Sequence, residues 1–482
     1  MLTMLSMYRS GSCQDKASKI HQLLQLNHEY GRFNGVALVS EDRNIILKKG
    51  YGFANMEWNI PNIPETKFRL GSITKQFTAM LVMQQVQSGK INLEATISDY
   101  LPAYRIDIGN SVTIHQLLTH TSGIPNYTSL PTFREISRRP WTVSEFVAEC
   151  CSGDLEFQPG SKFLYSNSGY FLLGAILEEV TGKTYEELLQ GYILHPVGME
   201  NSGHDHQQLV LKNRASGYYP TAFGYDNADY SDMSVPYAAG AMYSTAEDLY
   251  LWHQALCSED LLSQEHRDIM FTAHQSGYAY GWWHDKLAFG SSHDSVEVVW
   301  HAGGIRGFYS LITRQLDGRN LVVLLNNTAK YDVSELRDIT VAILGILHDK
   351  PYDLPSMSGL ELLRKTIREE GVSAAVDKYR NLKDDTLAGF EFREFELNWL
   401  GYQLLDRGLI DEAVTLFELI VQEYPDSYNA YDSLGDAFRR KGAIDSAIRN
   451  YQKSLQLNPD YKDAEEKLNA ISRHDQMRNT DH

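Results

Sequence analysis

A serine followed three residues later by a lysine, Ser72 and Lys75 in Gly71-Ser72-Ile73-Thr74-Lys75, is an arrangement from which acyl transfer can be built. Residues three apart share one face of a helix, so a helix starting at Ser72 brings the Lys75 amine to the Ser72 hydroxyl. A hydroxyl attacks a carbonyl only when a neighbouring base takes its proton, and an amine is that base only where its surroundings keep it neutral. Lys75 in a first helical turn opposes the helix macrodipole, so local stability does not account for it. The same field stabilises an oxyanion forming at Ser72 and, together with burial, lowers the lysine pKa. Taken alone the string is common, and its bland alternative is a capped surface helix.

Two further stretches supply complementary groups. Tyr165-Ser166-Asn167 lies within Phe163-Leu164-Tyr165-Ser166-Asn167-Ser168-Gly169-Tyr170, and His301-Ala302-Gly303-Gly304 follows the apolar run Val296 to Trp300. A phenol can relay a proton, an amide can hold a polar group, and glycines on a strand allow another backbone to lie close. Each also has a structural alternative, a packed tyrosine with a satisfied hydroxyl or a histidine buried at a rim.

Together the three elements resemble the class C β-lactamase, serine esterase and D-specific peptidase family, whose signatures are S-x-x-K, Y-x-N and a K/H-x-G strand. The likeness spans nearly all of residues 14 to 350. It is carried further by Leu117-Leu118-Thr119-His120-Thr121-Ser122-Gly123, His195-Pro196-Val197-Gly198-Met199, Ser244-Thr245-Ala246-Glu247-Asp248-Leu249 and Gly304-Ile305-Arg306-Gly307-Phe308-Tyr309-Ser310. The resemblance implies that Ser72 is acylated, Lys75 is its base, and Tyr165 passes the proton to the leaving group. It implies that Asn167 binds a substrate amide and that His301 lines the cleft from the third-motif strand. It also implies that Gly303 lets substrate lie against that strand, and that the amides of Ser72 and Gly304 form the oxyanion hole.

Ala302 departs from the pattern, because the third motif lacks both the lysine and the hydroxyl that hold a penicillin or peptide carboxylate. An ester, D-amino-acid amide or peptide is therefore the expected substrate ahead of a β-lactam. Tyr225-Asp226-Asn227 repeats the Y-x-N spelling without its flanking residues and is expected to lie outside the site. Ser244 and Glu247 read as a capping box, and His120 as a residue ordering its own loop. Tyr278, Tyr280, Trp282 and Trp283 either wall the acyl pocket or pack together.

Positioning these groups takes an α/β domain. Val36 to Val39 and Ile45 to Leu47 flank Glu41 to Asn44 as one hairpin, and Phe308 to Leu316 and Leu321 to Leu325 flank Asp317-Gly318 as another. Antiparallel pairs from both ends of residues 14 to 350 can share one sheet, flanked by helices, with the middle inserted as a helical lobe. After Phe68-Arg69-Leu70, the apolar residues Ile73, Phe77, Met80 and Leu81 predict an amphipathic helix ending near Gly89.

Beyond a joint at residues 351 to 359, the chain changes texture. Segments around Leu400-Gly401 and Leu434-Gly435 repeat with a period of 34, pairing Gly408 with Gly442, Ala413 with Ala447, Phe417 with Tyr451 and Pro425 with Pro459. This resembles the tetratricopeptide pattern and predicts an all-α array over residues 360 to 475 that binds a peptide or protein. A stretch from Leu360 to Arg380 broken at Gly371 is expected at one end, and a polar helix from Lys462 to Arg473 at the other.

A chain of 482 residues with 43% apolar and 22% charged residues suits at least two globular domains. Its net charge of -18 argues against nucleic acid or an anionic membrane as partner. No apolar run is long enough to span a bilayer. The four cysteines, Cys13, Cys150, Cys151 and Cys257, lack zinc spacing, so neither metal nor cofactor is expected. The His204-Asp205-His206 string reads as a solvated loop. Residues 1 to 13 look like the remnant of an export signal, which favours a periplasmic or exported protein over a cytoplasmic one. The functional expectation is a serine hydrolase working through an acyl-enzyme. Its alternative is an inactive, penicillin-binding-like scaffold that acts through its repeats.

Overall fold

In the computed structural model of the protein the described residues are 2–289, 294–329, 333–355, 359–385, 390 and 392–480, with side chains described between 15 and 472. Cys13 and part of the 351 to 359 joint thus lie outside the described side chains. The chain forms two compact units, Met1–Tyr219 with Asn227–Leu354, and Pro220–Asp226 with Pro355–His482.

The first unit is built on a six-stranded antiparallel sheet. Its strands are β1 (Gly35–Glu41), β2 (Asn44–Tyr51), β3 (Trp283–Ala288), β4 (Ser295–Ile305), β5 (Phe308–Gln315) and β6 (Leu321–Asn326), ordered β3-β4-β5-β6-β1-β2. Strands from the two ends of the domain meet where β1 pairs with β6, Val36 opposite Leu325. Asp42 and Arg43 both take positive φ, 46° and 65°, which gives β1 and β2 a two-residue turn whose twist matches the strands.

The sheet is apolar on both faces because helices cover both. Leu321, Val323 and Leu325 join the core on one face, while Val322 and Leu324 join the core on the other. That second face is covered by α1 (Leu2–Glu29), which contributes Ile20, Leu23 and Leu24, and by the helix Ser334–Leu347, which contributes Ile339 and Ile343. The result is the unbroken apolar run in β6, with side chains alternating between two cores.

On the first face lies α2 (Thr74–Gln87), which continues a short 3-10 turn, Gly71–Ile73. The expected amphipathic helix is instead buried all round, from Thr74 through Met83. Apolar spacing found the helix, but its polar residues also face inward and find partners there. Thr78 donates to the Ala238 carbonyl at 2.6 Å, and Gln76 accepts from the Trp252 indole at 3.1 Å. Next in the lobe is α3 (Asn167–Thr181), also buried over most of its length.

Three further readings need correction. His204-Asp205-His206 is no solvated loop: His204 ends a short strand, and Asp205 is fully buried in ion pairs with Arg69, at 2.7 Å, and Arg214. Among the described residues, no cluster of three or more His, Cys, Asp or Glu side chains could hold a metal ion. The cap of α4 (Ala246–Ala255) is Thr245, which accepts from the Asp248 amide, whereas Ser244 bonds Ser202 at 2.7 Å. Finally, residues 220–226 group with the second unit, where Ala222 is buried in the core and the Arg364 guanidinium donates to the carbonyls of Thr221 and Gly224.

That second unit is helical. The helices Gly359–Glu370 and Val372–Leu382 break at Gly371, whose φ is 93°. Then follow Glu394–Asp406, Ile410–Glu423, Tyr428–Lys441, Ile444–Leu457 and Lys462–Thr480, so the third and fourth of these helix starts repeat the first and second after 34 residues. A Cβ on Gly401 would come within 2.5 Å of the Phe417 ring, and one on Gly435 within 2.6 Å of Tyr451. The glycine and the aromatic ring thus allow the same close approach in both helix pairs. Among the described residues, no helix of the chain is long and apolar enough to cross a membrane.

Candidate active site

Close backbone packing puts Ser72 against the sheet. A Cβ on Gly303 of β4 would fall 1.7 Å from the Leu70 carbonyl oxygen and 3.2 Å from the Ser72 nitrogen. From the other side Gly71, at φ 55°, presses on Gly304, and a Cβ there would meet the Gly304 nitrogen at 2.9 Å. Glycine is thus required at both positions for the turn carrying Ser72 to lie against the strand.

One turn beyond Ser72, in the first turn of α2, Lys75 is fully buried, and that burial holds its pKa well below the usual range. Its Nζ lies 3.0 Å from Ser72 Oγ, 2.8 Å from Asn167 Oδ1 and 2.8 Å from the Ala239 carbonyl oxygen. A neutral amine has two hydrogens and one lone pair. The two carbonyl oxygens can only accept, so they take both hydrogens and leave the lone pair for the Ser72 hydroxyl. This geometry suits a base poised to deprotonate the serine.

Asn167 is held in turn. Its Nδ2 donates to Asn126 Oδ1 at 3.2 Å, and its backbone amide donates to the same oxygen at 3.1 Å. Asn167 lines the cavity, but its amide already has partners, so its evident task in this state is to fix Lys75. The Tyr165 hydroxyl is buried and makes no hydrogen bond of standard geometry. Burial raises its pKa, and the Ser72 side chain offsets part of that rise. Lys75 Nζ is 5.0 Å from the centre of the Tyr165 ring.

His301 sits elsewhere than expected. It is 2% exposed and does not line the cavity. Its Nδ1 lies 2.6 Å from the Ala302 carbonyl oxygen, which requires Nδ1 to carry the hydrogen, and its Nε2 accepts from the Tyr278 hydroxyl at 3.1 Å. Burial, then the nearby Lys75, lowers its pKa to about 3. A neutral histidine with both nitrogens engaged is a support for the tyrosines, not a free acid or base. Gly303 likewise packs against Leu70 and Ser72 and is buried, whereas Gly304 is exposed at the cavity.

Around Tyr165 the aromatic residues pack and do not wall the pocket. Tyr278, Tyr280 and Trp282 are buried, and Tyr278 meets Tyr165 edge-on at 6.2 Å. His120 orders more than its own loop. Its ring lies 4.1 Å from that of Tyr165, its carbonyl accepts from the Leu164 amide at 2.9 Å, and its Nδ1 accepts from the Ser166 amide at 3.2 Å. The residue before Tyr165 and the residue after it are thereby both pinned. Tyr225-Asp226-Asn227 forms part of the strand Gly224–Asn227, with Asp226 paired to Arg407 at 2.9 Å.

The cavity encloses about 380 Å³ and is lined by Ser72, Asn167, Gly304, Tyr127, Phe133, Arg306 and their neighbours. Arg306 is the one formal charge among the described lining residues. Sequence reasoning missed Asn126, Tyr127 and the Ala239 carbonyl. Asn126 lies three residues beyond the Leu117 to Gly123 string, a usable signal, but a backbone carbonyl leaves none in the sequence.

Comparison with known proteins agrees with this arrangement. The Beta-lactamase family model matches residues 18–345. Penicillin-binding protein 4* of Bacillus subtilis is 27% identical over 399 residues, covering 78% of this chain and 85% of that protein. A penicillin-binding protein from Bacillus halodurans superposes with a TM-score of 0.59 at 28% identity, over 66% of this chain and 98% of that one. The D-amino acid amidase of Ochrobactrum anthropi SV3, solved with L-phenylalanine amide, gives a TM-score of 0.60 at 25% identity, over 70% of this chain and 99% of that one. With its Ser72 turn, buried lysine and antiparallel sheet carried by residues inside that match, the chain belongs to the Beta-lactamase family of serine hydrolases.

Proposed function

We propose that the first unit hydrolyses an ester or amide through a covalent acyl-enzyme on Ser72. The observation that carries this reading is the Lys75 amine, buried and facing two carbonyl oxygens and one hydroxyl. Ser72 Oγ attacks the substrate carbonyl as its proton passes to Lys75 Nζ. The carbonyl oxygen becomes an oxyanion facing the backbone amides of Ser72 and Gly304. Tyr165 relays the proton from Lys75 to the leaving group, giving up its own hydrogen as it takes the one Lys75 received, and the C–O or C–N bond breaks to leave the acyl-serine with Lys75 neutral again. Water then attacks the acyl carbon, giving its proton to the same base system, and Ser72 regains its hydrogen as the acid departs.

Three features bear on the substrate. Likeness to a D-amino acid amidase supports a small ester or amide over a polymer. Ala302 stands at the third-motif position where a hydroxyl would help hold a penicillin carboxylate, which counts against β-lactams. Arg306 disfavours a free ammonium next to it, which favours esters and amides with a blocked amine. The helical unit, with its 34-residue spacing of glycine and aromatic pairs, supports a tetratricopeptide-like array that binds a peptide or protein segment.

The test is a panel of p-nitrophenyl acetate and butyrate, free and N-acetylated D-phenylalaninamide and nitrocefin, run on the full chain and on Ser72→Ala. Turnover of esters or amides that disappears in Ser72→Ala is the expected result. Nitrocefin as the best substrate refutes the reading of Ala302, and undiminished turnover by Ser72→Ala refutes the mechanism.

A further inference from the structure

The first unit contains a second cavity, of about 440 Å³, that shares no lining residue with the one at Ser72. Three arginines line it. Arg43 comes from the β1–β2 turn, Arg267 from the helix Gln264–Phe271, and Arg314 from β5. Arg314 is 4% exposed. Its Nε donates to His253 Nδ1 at 3.4 Å, its Nη2 lies 3.4 Å from Cys257 Sγ, and its guanidinium is 5.1 Å from the centre of the Phe271 ring. None of these partners is a carboxylate, and burial lowers the His253 pKa to about 3, so that ring is neutral.

Among the described residues, no carboxylate comes within the 4.0 Å ion-pair distance of Arg43, Arg267 or Arg314. Two carboxylates do line the cavity and are engaged elsewhere. Asp317 receives Arg319 at 2.8 Å, and Asp268 receives the Gln264 amide at 2.6 Å. Buried charges in proteins are ordinarily paired, because an isolated one forfeits its hydration for nothing. Here three like charges gather, one of them buried, and Arg43 and Arg267 both add to the burial that lowers the Arg314 pKa. One orphan atom, Arg267 Nε, is also buried without a partner.

A glycine lies where the wall of this cavity is tightest. A Cβ on Gly318, whose φ is 71°, would fall 2.7 Å from Cys257 Sγ, 3.5 Å from Arg314 Nη2 and 3.9 Å from Arg43 Nη2. Arg314, Arg43 and the Cys257 thiol therefore converge on the Gly318 segment of the cavity wall, close enough together for one small anion in the cavity to reach both guanidinium groups. A planar guanidinium matches two oxygens of an oxyanion at once. Arg267 donates Nη1 to the Leu256 and Ser258 carbonyls and Nη2 to Gln264 Oε1, so it adds charge and not a fork, and three gathered positive charges suit a tetrahedral anion of close to two charges better than a singly charged carboxylate.

We propose that this cavity binds a phosphate-type oxyanion, inorganic or carried by a phosphomonoester, through Arg43, Arg267 and Arg314 beside Cys257.

Cys257 provides the readout, since Cys150 and Cys151 are buried and Cys257 is partly exposed in the cavity. Iodoacetamide modification of Cys257 in the full chain is followed by peptide mass spectrometry, with inorganic phosphate, phenyl phosphate, or sodium chloride at matched ionic strength. At a concentration ten times its Kd, phosphate is expected to slow modification about tenfold, with a rise in melting temperature. Tighter protection by phenyl phosphate assigns the site to a phosphomonoester, and protection by phosphate alone assigns it to the inorganic ion. Arg314→Gln tests the buried group but risks the fold. Arg43→Gln, at an exposed turn, and Arg267→Gln are therefore also measured, and each is expected to weaken protection at least severalfold. Absence of protection by either phosphate, equal protection by chloride, or full protection in folded Arg43→Gln and Arg267→Gln overturns the proposal.

Discussion

Replacing Gly303 by alanine tests how closely the nucleophile turn must sit against the sheet. The new Cβ would lie 1.7 Å from the Leu70 carbonyl oxygen, whereas a carbon and a carbonyl oxygen in contact settle at about 3.3 Å, so one backbone must retreat by roughly 1.5 Å. The retreating groups are the turn that holds Ser72 and the strand that holds Gly304, the two donors of the proposed oxyanion site. A misplacement of about 1 Å costs on the order of a hundredfold, and loss of one oxyanion donor costs roughly 3 to 4 kcal/mol. The expected fall in kcat for p-nitrophenyl butyrate is therefore about 10²- to 10³-fold, with KM changed much less. Gly191→Ala is the control, since a Cβ there meets nothing within 4 Å and no positive φ is involved. Circular dichroism and thermal melting show whether Gly303→Ala still folds. A folded Gly303→Ala enzyme within a factor of three of the parent kcat refutes the reasoning, because no third arrangement keeps both donors in place.

Other expectations follow from the same geometry. Asn167→Ala removes one of the two carbonyl oxygens on Lys75 and is expected to lower kcat about tenfold or more, measured with the same ester. Burial depresses the Lys75 pKa, so the neutral base persists below the usual lysine range. Activity is then lost only as pH falls through that lowered value, and Lys75→Arg, which cannot deprotonate, is expected to lose activity at every pH. With its pKa near 3, His301 stays neutral throughout, so His301→Gln is expected to leave the acid limb of the pH profile in place while reducing its height. A limb that moves with His301→Gln would return the histidine to proton transfer. In the helical unit, Gly401→Ala drives a methyl into the Phe417 ring and is expected to cost about 1 to 3 kcal/mol, read from chemical denaturation.

Much of this architecture is legible in the sequence because it rests on local rules. The hairpins of β1–β2 and β5–β6 announce themselves by apolar runs around short turns, and the 34-residue spacing read at Leu400-Gly401 and Leu434-Gly435 recurs in the helix starts at Glu394, Ile410, Tyr428 and Ile444. Ser72 and Lys75 are set by a single turn of backbone, so their contact follows from spacing alone. What spacing does not reveal is burial. Thr74, Gln76 and Thr78 look like the solvent face of α2, yet each is buried, because a helix enclosed by sheet and lobe has no outer side. His301 carries the motif but turns toward Tyr278, a contact set by how β4 meets residues distant in the chain. Asp205 reads as part of a polar loop, but Arg69 and Arg214 converge on it only after folding.

Covalent capture of the nucleophile addresses the acyl-enzyme mechanism at its root. Treating the full chain with a fluorophosphonate and locating the adduct by peptide mass spectrometry should place one phosphonyl group on Ser72. Labelling should vanish in Ser72→Ala and become much slower in Lys75→Met. An adduct on another serine, or equal labelling of Ser72 when Lys75 is methionine, would contradict the assignment of the buried amine as the base.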